Sequence, residues 1–531
     1  MATAASSGVK PSLSHPGPGA DGAALYTRNR PLLTLGVMLA TIMQILDSTI
    51  ANVALPHMQA TLSATADTVT WILTSYIVAS AIAIPITGWL SDRVGSRNLF
   101  LWSVAGFVIS SALCGMANGL TEMVAFRILQ GISAAFMNPL SQTVMLDINP
   151  PHKQAGAMSI WGMGIMVGPI LGPVIGGWLT DNYNWRWVFY VNLPLGVFCF
   201  VVLWFLLPSR PVRKREFDLT GFSLLALGIA SLQLMLDRGQ NEDWFSSHEV
   251  IIEALVAGIA LWMAMIHMAT AKKPMFDREL WKNRTLVTAI LFMLVIGVVM
   301  MATMALLPPM LQGLFGYPVL DTGLLLMPRG LGVVFSMAIA ARLTQRGFDP
   351  RILVGVGFTI TAFSLWQMTE WTLMMNARPF IVSGVIQGLG MGLIFMPLQT
   401  MAFATLPPQY RTEGSSLMNL SRNIGASVGI SAVTALLARN TQISHSDVGQ
   451  HVTSAALDTL DPSIIQMAGA TGDSVMAMIN AEVTRQAAMI AYLDDFRVMM
   501  IVTALSIPLV LFLKRPPRPV PGEKAAPVDL H

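Results

Sequence analysis

The chain is divided into apolar runs, most of them 20 residues or longer, separated by mostly short polar connections. Coiled into a helix, about 20 residues cross the ~30 Å hydrocarbon layer of a bilayer. About fourteen such runs can be drawn, at 32–55, 69–90, 99–118, 121–145, 155–179, 187–207, 217–236, 249–269, 285–313, 321–343, 351–370, 379–404, 412–438 and 495–514. In lipid every backbone amide must be paired within its own segment, so runs of this kind fold as helices. Composition supports the reading. Of 531 residues, 54% are hydrophobic and 11% charged, against roughly a quarter charged in soluble domains. The expected fold class is an all-α polytopic membrane protein.

Orientation follows from Lys and Arg, which favour the cytoplasmic side. With the N-terminus inside and strict alternation, about 23 of the 32 basic residues fall in inner segments and about six in outer ones. Arg127, Arg329 and Arg422 fall inside helices. Both termini are therefore expected in the cytoplasm. Residues 1–30 read as a disordered cytoplasmic tail and not a signal peptide, and 516–531 as a second tail. The segment 439–494 reads as a long outer loop, with short amphipathic helices at Ser463–Met478 and Glu482–Ile490.

Several chemistries are excluded early. No GxxxxGK[ST] loop is present for nucleotide phosphates. Cys114 and Cys199 both lie in apolar runs, which argues against a disulfide framework or zinc site. A net charge of +3 does not suggest a nucleic-acid binder. No catalytic constellation stands out, so an enzyme is not expected, and any driving force must come from a gradient.

Asp47 sits in the first run, within Leu46-Asp47-Ser48-Thr49. A carboxylate inside a spanning helix is costly and marks function by default. Arg127 sits in the fourth run, with Gln130 one turn on. Counting rise per residue, Asp47 lies roughly 14 Å and Arg127 roughly 10 Å from the outer ends of their helices, so the two can meet. In the fifth run Gly164, Gly168, Gly172 and Gly176 recur every four residues, with Pro169 and Pro173 between them. That spacing makes a smooth face for close helix approach, and the prolines bend it. After the second run comes Gly88-Trp89-Leu90-Ser91-Asp92-Arg93-Val94-Gly95-Ser96-Arg97. There Asp92 can cap a helix, and Arg93 and Arg97 can reach Asp147 at the inner end of the fourth helix.

Together these four segments resemble the signatures of the major facilitator superfamily. Trp185-Arg186-Trp187-Val188-Phe189 with Asn192 and Pro194, Asp218-Leu219-Thr220-Gly221, and Leu232-Gln233-Leu234-Met235-Leu236-Asp237-Arg238-Gly239 narrow the likeness to its fourteen-helix drug:proton antiporters of EmrB type. Ser96 departs from the pattern, which places a basic residue there. The resemblance implies two six-helix bundles, 31–210 and 273–515, with an extra helix pair in 211–272. It implies proton-driven export without a cofactor, Asp47 as protonation site, Arg127 as its modulator, and Gly164–Gly177 as the interface sealing the outer side. It also implies a periplasmic adaptor of EmrA type and an outer-membrane channel as partners.

Acidic residues of the second half, Asp321, Asp349, Glu370 and Glu413, lie at run ends, while Arg329 and Arg422 lie within runs. Such a cavity suits neutral or weakly acidic lipophiles, with Gln130, Arg329, Gln387, Gln399, Asn419 and Arg422 as candidate substrate contacts. Export of a metabolite or siderophore by the same fold is the alternative.

Overall fold

The computed structural model describes residues 23–210, 212, 215–451 and 472–514. Among these, fourteen helices are long and apolar enough to cross a membrane. In chain order they are α1 (Arg30–Thr61), α2 (Trp71–Val94), α3 (Ser96–Met116), α4 (Leu120–Asp147), α5 (Pro151–Asn182), α6 (Trp187–Leu206) and α7 (Leu219–Arg238). The rest are α8 (His248–Thr270), α9 (Arg284–Gly313), α10 (Val319–Gln345), α11 (Pro350–Thr369), α12 (Ala377–Ala404), α13 (Arg411–Gly449) and α14 (Gly472–Ser506). Helix starts carry the expected chemistry. Asn29 accepts from the Leu32 amide with Pro31 in the first turn, and Asp218 accepts from the Gly221 amide.

Helices α1 to α6 pack into one bundle and α9 to α14 into a second. The α7–α8 pair is more loosely held, and α7 touches both α2 and α13, one helix from each bundle. The end of the molecule that carries the start of α1 and the α2–α3 turn is called the basic face below.

Several helices outrun the apolar stretches that announce them. α1 continues through Pro56 to Thr61. The expected outer loop 439–494 is largely helix instead: α13 runs on to Gly449 and α14 begins at Gly472. The two extensions cover each other. His445 meets Asn480 at 3.0 Å, and Val483, Ala487 and Ala491 are buried. Mutual burial supports helix where hydropathy alone is too weak to show it. The part of the expected helix Ser463–Met478 before Gly472 lies outside the described residues.

Candidate proton-coupling site and bundle junction

Asp47 and Arg127 are both 0% exposed and form an ion pair, Arg127 Nη1 to Asp47 Oδ2 at 2.7 Å. Gln130 beside Arg127 and three further helices complete the cluster. Gln130 Nε2 and Asn192 Nδ2 donate to Asp47 Oδ1 at 2.9 and 2.8 Å. Asn192, at the start of the longer part of α6, also donates to Ser111 Oγ of α3 at 3.1 Å. Arg127 Nε donates to the Ile72 carbonyl of α2 at 3.0 Å, and its guanidinium lies 4.3 Å from the Tyr76 ring centroid. An ion taken from water into such a site costs several kcal/mol, which the attraction offsets only if the remaining polar atoms are well bonded. Both carboxylate oxygens here are. Arg127 Nη2 and the neighbouring Tyr76 hydroxyl have no hydrogen-bond partner, so the cluster retains unused polar capacity.

Gln130 is thus spent on Asp47 and does not face a substrate in this conformation. Asn192 and Ser111 were absent from the expected site. An asparagine at the mouth of a very apolar helix is the one signal that pointed to them.

The glycine face of α5 seats on α1, the helix of Asp47, rather than on the opposite bundle. A Cβ on Gly168 would lie 2.6 Å from Ile45 Cγ2, and one on Gly172 would collide with the Thr49 side chain. Gly164 faces Met38 and Gly176 faces Ile50. The close approach lets Thr49 Oγ1 donate to the Gly168 carbonyl at 3.2 Å. Pro169 lies in α5, which runs unbroken past it; the side chain of Pro173 lies outside the described part of the structure. The same helix meets α10 of the second bundle elsewhere along its length, where a Cβ on Gly162 would touch Met337 Sδ at 3.0 Å. So α5 touches both the carboxylate helix and the other bundle.

On the basic face the two bundles are clasped. Asp147 pairs with Arg411 at 3.1 Å and closely with Arg210. The expected partners Arg93 and Arg97 do not reach it. Arg93 lies over the Trp89 ring, and Arg97 Nη2 donates to the Trp204 carbonyl at 2.6 Å. Asp92 lies in the last turn of α2 and does not cap α3, whose N-cap is Gly95 at φ 92. Only glycine takes that φ without strain. Gly88 leaves room for the Glu413 side chain of α13, which pairs closely with Arg215. Ser415 donates to Gln142 Oε1, and Asn419 Nδ2 reaches the same oxygen at 3.2 Å. Asn419 therefore belongs to the junction, not to an open cavity.

The linker between α6 and α7 is part of this clasp. Arg210 reaches Thr412 at 3.5 Å as well as Asp147, and Arg215 donates to the Met275 carbonyl at 2.8 Å. Trp89 Nε1 donates to the Arg215 carbonyl at 3.1 Å. Near the other end of α7, Gln233 Nε2 donates to Ser427 Oγ of α13 at 2.7 Å, and Thr74 of α2 donates to Asp237.

The remaining candidates lie in the second bundle. Gln387 Nε2 donates to Thr303 Oγ1 at 3.2 Å while its Oε1 has no partner, and Gln399 Oε1 is likewise buried without one. Arg329 is 5% exposed. Among the described residues neither Arg329 nor Arg422 forms an ion pair with a carboxylate. The described residues hold no cluster of His, Cys, Asp and Glu that could bind a metal.

Two helical bundles joined by an extra pair, with a bonded Asp–Arg pair buried in the first, define a multi-pass membrane protein of the transporter type. The Major Facilitator Superfamily profile matches residues 37–430, and the chain belongs to that family. It is 39% identical over 429 residues to the multidrug export protein EmrB of Haemophilus influenzae, covering 79% of this chain and 83% of that protein. It is 35% identical to the fatty acid resistance protein FarB of Neisseria gonorrhoeae, covering 91% and 96%. The crystal structure of a double-tryptophan mutant of XylE aligns with a TM-score of 0.61 at 12% identity, over 91% of this chain and 95% of that one.

Proposed function

We propose that the protein exports lipophilic, neutral or weakly acidic compounds across the bacterial inner membrane in exchange for protons, with Asp47 as the proton carrier. The observation that carries this reading is the fully buried Asp47, whose two oxygens are held by Arg127, Gln130 and Asn192 from two other helices. Protonation would remove the charge that holds Arg127, loosening α1 from α4. Helix α1 is seated on α5, and α5 touches α10, so the change reaches the second bundle by direct packing. The bundles, divided near residues 210 and 272, then rock about the substrate. In this reading the basic face is cytoplasmic and the structure is closed on that side.

Substrate charge is read from Arg329 and Arg422, two cations inside the second bundle without acidic partners among the described residues. The relative named for fatty acid resistance is consistent with amphiphilic, acidic cargo. The paired extensions of α13 and α14 protrude on the side opposite the basic face and offer a surface for a periplasmic adaptor of EmrA type, which would pass cargo to an outer-membrane channel.

The test is transport in proteoliposomes with an imposed pH gradient. Asp47→Asn keeps the shape and removes the titrating group. It should insert normally and lose pH-driven export. Full pH-driven export by that variant would sink the assignment.

A further inference from the structure

Asp495 lies in α14 and is 0% exposed, and neither of its carboxylate oxygens has a hydrogen-bond partner. Its neighbour in sequence shows the contrast: Asp494 is 38% exposed and bonded to Arg497 at 3.3 Å. A bare carboxylate out of water is among the most costly groups a protein can hold, and the usual relief is to give up the charge.

Among the described residues no cation pairs with it. On its own helix the nearby titratable groups are Asp494, Arg497 and Tyr492. Helix α9 carries no ionisable side chain from Ala302 to Leu311, and α11 none from Ile352 to Met368. The His445–Asn480 contact sets the register against antiparallel α13, placing Asp495 across from about residue 430. The nearest ionisable residues of α13, Arg422 and Arg439, are then about 12 Å along the helix in either direction. Glu370, at the exposed end of α11, precedes Trp371, whose ring packs on Phe496 at 5.4 Å. One carboxylate without further oxygen ligands does not make a metal-ion cage. It does make a proton site.

A few polar groups lie one turn away from it. Met499, one turn on along the same face of α14, lies 3.9 Å from Thr303 Oγ1, whose proton goes to the Val299 carbonyl at 2.6 Å. Thr303 accepts in turn from Gln387, whose Oε1 is free. These groups run from α12 across α9 to Met499, one turn from Asp495, and none of them bonds its carboxylate.

We infer that Asp495 is a second proton-carrying carboxylate, protonated in this conformation and releasing its proton when the second bundle moves, so that each bundle supplies one proton to the cycle. The inference rests on the proton-coupled reading above. The step is a plain proton transfer, with the proton leaving for water on the side to which the bundle opens.

Two measurements test it. Reversal of flux under opposed proton and substrate gradients gives protons per substrate. Asp495→Asn should lower that ratio by one, cutting the largest substrate gradient held at 100 mV by about fifty-fold. Asp495→Glu should restore it. An unchanged ratio in Asp495→Asn overturns the inference, because Asp495 would then be a permanently neutral acid. Should Asp495→Asn fail to reach the membrane, infrared spectra of purified Asp47→Asn protein decide. A neutral-carboxyl band that disappears reversibly as pH is raised and that shifts in Asp47→Asn/Asp495→Glu protein supports the inference, and the absence of any band that shifts with Asp495→Glu overturns it. PH-driven export by Asp47→Asn would instead overturn the role of Asp47, leaving the result for Asp495 separate.

Discussion

Asp47 and Asp495 are equally buried, but Asp47 has three donors and Asp495 has none. The first was legible in the sequence because an acid in the middle of an apolar run stands out. The second was hidden by a boundary. By hydropathy the last apolar run opens at 495, so its carboxylate reads as a helix end, whereas the helix begins at Gly472. Asp147 shows another limit. A shared inner end of the helices suggested Arg93 and Arg97, but its partners come from residues 210 and 411, which only the tertiary arrangement brings near. At this scale the substrate reading has a direct test. If the proposed contacts are made, replacing Arg329 and Arg422 together with Gln removes two charge-assisted bonds to an anionic substrate, each worth about 1.5–3 kcal/mol. The KM for an anionic substrate in proteoliposomes should rise at least about ten-fold, with little change for a neutral one. An equal rise for both would reject the charge preference.

Among the elements, α5 combines local chemistry with long reach. Its four-residue glycine spacing was plain in the sequence, but which helix it would meet was not, since spacing defines a face and not its partner. With α1 as that partner, substitutions should separate sharply. Gly172→Val drives a branched side chain into Thr49, and overpacking of this kind costs about 1–3 kcal/mol. Thermal melting of the purified protein should shift downward and export should fail. Gly177→Ala is the control, because nothing lies within 4 Å of a Cβ at that position. It should melt and transport like the parent. The helical hairpin of α13 and α14 was the least legible element. Its polar outer faces hide the periodicity, and its burial comes from a partner far away in sequence.

For the whole molecule, the fourteen spans and two bundles were readable because span length is set by the bilayer and little else. The conformation was not readable, because it depends on contacts between bundles. The junction of Ser415 with Gln142 offers a check on whether closure of this face belongs to the cycle. Gln142→Cys with Ser415→Cys should cross-link under mild oxidation and stop export, and reduction should restore it. Cys114 and Cys199 are buried and should not interfere. Export that continues with the cross-link in place would show that these bundle ends need not part.

The clasp has one property that its list of ion pairs does not convey. Arg210 and Arg215 sit on the same stretch of chain, which leads from the first bundle into the extra helix pair. When the face opens, these cations remain on a short leash near their carboxylates, at an effective concentration on the order of millimolar. Re-closure is therefore an intramolecular event without a diffusional search. Ionic strength would then mainly set how long the face stays open, and the connecting segment works as a return spring as well as a tether.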